Sequence, residues 1–134
     1  MGGFLAVVAS NYFDTRVCIS FVPQYSVNKE IIPEESRWLE HTDKIIDWKI
    51  ISLDGLFNSK TKYYAFNGMK PFEIRHWSKF PKVENLQNIV LPALGHDVAQ
   101  NLKNKGLLYP LLENCLMCSD AKVFLNNNDI LALT

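Results

Sequence analysis

KTKYYAFNGMKPFEIRHW (residues 60–77) decides how the chain is read, because it carries the strongest local signal in the sequence. Asn67-Gly68 stands between two aromatic-rich runs, and both residues tolerate positive φ, so the pair predicts a type I′ β-hairpin. With a two-residue loop, Phe66 faces Met69, and Lys62 faces Glu73 as an opposite-charge cross-strand pair. Pro71 has no N–H to give to a ladder, which makes its strand an edge or a bulged one. An exposed edge of that kind would allow a homodimer through strand pairing.

Upstream, Phe4–Ala9 and Arg16–Val22 are rich in Val, Ile and Phe and flank SNYFDT, whose Asn, Asp and Ser favour a turn. They read as two strands. Pro33 suits a first helical position, Glu34 and Glu35 complement the helix dipole, and Trp38, Leu39, Ile45 and Ile46 keep helical spacing. A strand from about Asp47 to Leu53 follows. Downstream, a helix is predicted from about His96 to Lys105, with Asp97 in its first turn, Lys103 and Lys105 in its last, and Gly106 as C-terminal cap. AKVFL-NNND-ILALT then predicts a closing hairpin. The expected fold is α+β: a mostly antiparallel sheet with two or three helices on one face, in one compact domain over residues 1–134.

The composition fits that size. The 134 residues are 48% apolar and 21% charged, which is globular rather than disordered. Lys plus Arg and Asp plus Glu are equal at 14 each, which argues against wholesale nucleic-acid binding. Residues 60–105 nevertheless hold 8 of the cations and only 3 of the acids, enough for a local anion-facing surface. No run approaches the ~18 apolar residues of a membrane span. The apolar run Phe4–Ala9 is short and lacks preceding cations, so it makes a poor signal peptide. Gly2 would suit a myristoylation start, but Ala6 stands where Ser or Thr is wanted. Three cysteines, an odd number, argue against a secreted disulfide scaffold and favour a reducing cytoplasm.

Four constellations carry candidate chemistry. Cys115-x-x-Cys118 lacks a second ligand pair for zinc, and Leu107, Leu108, Leu111, Leu112, Leu116 and Met117 surround it, so buried structural thiols are expected. No metal or cofactor is expected. In ALGHDVAQ, Gly95-His96-Asp97 at a helix start offers His96 as acid or base on a phosphoryl group, with Asp97 to orient it. EIRHWSKFPK interleaves cations and aromatics, as surfaces for single-stranded nucleic acid do, and an acidic protein could dock there equally well. Lys70, Arg75, Trp77, Lys79 and Lys82 are its candidate binding residues. Glu34, Glu35, Glu40, Asp43 and Asp47 read as a solvated helix face, with Lys44 paired to Glu40. No P-loop, G-x-G-x-x-G, G-x-S-x-G or H-E-x-x-H occurs.

Over residues 95–134 the sequence resembles the small viral ring nucleases that cleave cyclic oligoadenylate. Those proteins carry Gly-His-Asp at a helix start, then a strand that ends in a turn before an Asp. The parallels here are Gly95-His96-Asp97 and DAKVFLNNNDILAL. The family's later Arg-Leu-x-Glu-Gly segment has no counterpart before Thr134, and the N-terminal half does not align. The resemblance implies a nucleotide or cyclic-oligonucleotide ligand with His96 at the centre.

The motif-poor body points first to a small intracellular, non-enzymatic protein that acts by contact with a macromolecule, as an inhibitor, antagonist or immunity protein does. A protein is the expected partner. The alternative is a protein that binds or cleaves a nucleotide or cyclic oligonucleotide through His96. The third reading is a nucleic-acid-binding module built on the basic, aromatic hairpin.

Overall fold

The computed structural model describes residues 2–134. Along the chain run α1 (Gly2–Ala9), β1 (Val17–Phe21), α2 (Leu39–Thr42), β2 (Lys62–Gly68), α3 (Pro71–Trp77), β3 (Leu86–Leu91), α4 (Val98–Asn104), α5 (Leu108–Leu116) and α6 (Ala121–Asn127). The strands form one sheet in the order β1-β2-β3, and both pairs are parallel, with Ile19 opposite Tyr64 and Ala65 opposite Asn88. The expected mostly antiparallel sheet with two or three helices is therefore overturned. The sheet is all-parallel, the described residues hold six helices, and the whole is a compact α+β domain.

The reversal traces to residues 62–68. Tyr63, Tyr64, Ala65 and Phe66 are all buried, so β2 is covered on both faces, the signature of a parallel strand rather than of half of a hairpin. Asn67 does not turn the chain: its amide donates to the Asn88 side chain on β3 and to the Ala65 carbonyl. Gly68 is glycine for another reason than a turn. A Cβ there would strike the Leu94 and Gly95 backbone carbonyls, which cross the strand end. Pro71 then opens α3 at its first helical position, where a missing N–H costs nothing. The Lys62–Glu73 pair and the Pro71 edge strand disappear with the hairpin.

Alternate residues of β2 feed two cores. Tyr64 and Phe66 join Ile89, Leu91, Leu102, Leu111, Cys115 and Leu125, so α4, α5 and α6 cover one face. Tyr63 and Ala65 join Val7, Cys18, Leu53 and Phe80 on the other, beneath α1 and Trp77 of α3. Four other expected elements are corrected. Phe4–Ala9 lies in a helix, because an unbroken apolar run has no period to separate helix from strand. Residues 47–53 form no strand, and the helix expected after Pro33 is reduced to the short α2. The closing hairpin is instead α6, capped by Asp120 accepting from the Val123 N–H at 3.0 Å, followed by a single antiparallel bridge from Leu133 to Val90. The helix expected from His96 to Lys105 is α4, ended by Gly106 at φ +71°. No helix among the described residues is long and apolar enough to cross a membrane.

Candidate functional site

Parallel strands all release the chain at one end, and in such sheets the crevice outside the carboxyl ends is where ligands bind. Here that end gathers Pro23–Tyr25 after β1, Met69 and Lys70 after β2, and residues 92–97 after β3. The Met69 N–H donates to the Leu94 carbonyl at 2.9 Å, tying the β2 exit to the loop after β3. The aliphatic part of Lys70 lies against Gly95, where a Cβ would come within 2.7 Å of Lys70 Cδ. These two contacts set His96 beside α3.

The result is a histidine–carboxylate pair assembled from two strand ends. Glu73, in the first turn of α3, is 5% exposed, and its Oε1 lies 3.6 Å from Nδ1 of His96, whose side chain is 62% exposed. That separation is an ion-pair distance, longer than a hydrogen bond, as unliganded acid–base pairs commonly are. The buried carboxylate faces one ring nitrogen, and the ring presents itself to solvent. Asp97 has a different task from the one its position suggested. It accepts from the Gly95 N–H at 3.2 Å and from the Asn101 amide, so it shapes the loop. The Gly95 N–H and its own N–H, aided by Asn101 and Lys70, hold the Asp97 carboxyl below its ordinary range.

A second polar cluster packs beneath α3. Glu35, 1% exposed, accepts from the Gln24 amide at 2.8 Å, from the Arg37 N–H at 2.8 Å, and from Arg37 Nε and Nη2 at 3.3 and 3.1 Å. His76, 3% exposed, completes it: Nδ1 accepts from the Tyr25 N–H at 3.2 Å, so Nε2 carries the proton and donates to Glu35 at 3.0 Å. Burial pushes the imidazole below its ordinary value, Arg37 and Arg75 add to this, and Glu35 opposes it. Burial alone would raise the Glu35 carboxyl, but Arg37 and Gln24 outweigh it and hold it low. The Arg37 guanidinium also lies 3.8 Å from the centroid of the Phe72 ring.

Comparison with family models, curated proteins and solved structures finds no match. The strand that the ring-nuclease resemblance implied after Asp120 is the helix α6.

The predicted binding residues are distributed over α3 and its surroundings rather than over a sheet face. Lys70 is the exposed residue that precedes α3, Arg75 is half-buried, and Lys79 and Lys82 are exposed beyond its end. Trp77 is half-buried and donates Nε1–H to the Gly68 carbonyl at 3.0 Å. Cys115 is fully buried, its thiol pushed up to about 12 by burial, whereas Cys118 is exposed at φ +57°. Glu35, read as part of a solvated helix face, lies at the centre of the buried network. Among the described residues no three His, Cys, Asp or Glu side chains are grouped to hold a metal ion. Sequence patterns did not single out Glu73, Arg37 or His76, and read Glu35 as solvated, because the Glu73–His96 and His76–Glu35 pairs form only across crossovers; the Glu35–Arg37 contact, two residues apart, is local.

Proposed function

We propose that the carboxyl end of the sheet is an acid–base site, with His96 as the proton-transferring group and the buried Glu73 as the residue that orients it. The observation that carries this reading is the Glu73–His96 pair, brought together from the exits of β2 and β3 at the end where parallel sheets bind ligands. A carboxylate on one ring nitrogen fixes the tautomer and stabilises the imidazolium formed when the other nitrogen takes a proton. Lys70, packed along Gly95, adds a cation to the rim, which suits an anionic ligand of the nucleotide or cyclic-oligonucleotide class. The three free thiols fit a reducing cytoplasm as its setting.

A second reading, contact with a macromolecular partner without catalysis, draws on Arg75 and Lys79. They lie four residues apart along α3 and its exit turn, on one side of the helix, with Lys82 exposed beyond. One experiment separates the readings: a panel of linear and cyclic phosphodiesters incubated with the parent chain and with His96→Ala, alongside affinity capture. Turnover by the parent that drops by about 100-fold or more in His96→Ala supports the acid–base site. No turnover by either, with a captured protein lost on Arg75→Glu plus Lys79→Glu at unchanged thermal stability, supports the contact reading instead.

A further inference from the structure

We propose that Arg37 is an anion anchor, holding a carboxylate or phosphate group of the ligand whose reacting atom lies at His96; this rests on the acid–base reading above. The guanidinium is preorganised on two sides. Its Nε and Nη2 are forked onto the buried Glu35, and its plane rests over Phe72. Nη1 makes no hydrogen bond to any described residue, and the side chain is 28% exposed, so two N–H donors of a fixed guanidinium are left without a protein partner.

Satisfying Glu35 does not require this. A carboxylate has about four acceptor positions. Glu35 is met by Gln24, by the Arg37 backbone and side chain, and by His76. The free edge of Arg37 is surplus to the fold. Phe72 and Glu73 are neighbours in the first turn of α3, one carrying Arg37 and the other facing His96, so the two groups flank the same end of that helix. Arg75 lies 5.8 Å from the same Phe72 ring on the following turn, adding positive charge, while Glu35 is already engaged. A ligand with an oxyanion at one end and a reacting group at the other would span this turn.

The test is an NMR titration of the full chain, following the assigned Arg37 side-chain Nε–H signal. The probes are inorganic phosphate and sodium acetate, with sodium chloride at matched ionic strength as control. The expected result is a saturable shift with phosphate, acetate or both, and none with chloride. Arg37→Lys, which keeps the charge but loses the planar fork, should weaken the probe's binding by about tenfold. A shift with acetate alone assigns a carboxylate ligand, and a shift with phosphate assigns a phosphate. The proposal is overturned if neither probe moves the signal beyond chloride, or if a folded Arg37→Lys binds as the parent does. Should that variant not fold, the parent titration alone decides. His96-dependent turnover with a silent Arg37 would sink the anchor alone. A saturable Arg37 in a protein without turnover would sink the acid–base site alone.

Discussion

At the residue scale, Cys115 and Cys118 show how one short motif divides between packing and surface. The Cys115 thiol is enclosed by the core under α4–α6, while Cys118 lies just past the end of α5 in left-handed backbone. Cys115→Ala should therefore cost about 1–2 kcal/mol of stability through the cavity it leaves. Cys118→Ala should stay within about 0.5 kcal/mol, as exposed substitutions do. Chemical denaturation of both variants checks this, and equal losses would contradict it. Asn67-Gly68 holds a similar lesson. The dipeptide is what a hairpin needs, yet here Asn67 bridges to Asn88 and Gly68 admits the crossing backbone of Leu94 and Gly95. A glycine required for close approach is spelled the same way as a glycine required for positive φ.

At the element scale, α3 is the organising piece. One helix presents Glu73 to His96 and His76 to Glu35, with Phe72 beneath Arg37, so the crossover after β1 and the loop after β3 are both fastened to it. The fastening has a pH dependence with a definite sign. The folded His76 imidazole is held below its ordinary value near 6.5, so below that pH the unfolded chain takes up a proton that the folded chain refuses. Stability should fall as the pH drops from about 6.5, until the folded group is also protonated. The Glu35 carboxyl, held below 4.5, adds a further loss as the pH falls below about 4.5, until it too is protonated in the folded chain. Thermal melts at about pH 7.5 and about pH 5.5 should show the lower transition at the acid end, and His76→Gln should shrink that difference. A transition that does not move would contradict the buried, neutral histidine.

At the scale of the whole molecule, the sequence showed elements that announce themselves locally. The helix ended by Gly106 was legible because its boundary and charge pattern lie within its own residues. So was β1, a short Val- and Ile-rich run after a turn. The parallel sheet was not legible, because a parallel pair needs a crossover and leaves no turn signature between its strands. The unbroken aromatic and apolar run Tyr63–Phe66 was the available signal for a strand buried on both faces, outweighed by the Asn-Gly that ends it. His96 was visible as a candidate from its own surroundings. Glu73 was not, since its partner stands on another strand's exit and its neighbours read as a ladder.

Whether Glu73 acts through His96 is read from a double-mutant cycle on phosphodiester turnover. His96→Ala and Glu73→Gln should each lower the rate, the first by about 100-fold or more and the second by less. The double variant should then be no slower than His96→Ala alone, because an orienting carboxylate has nothing left to orient. Losses that multiply in the double variant would show the two groups working independently, and would contradict the account.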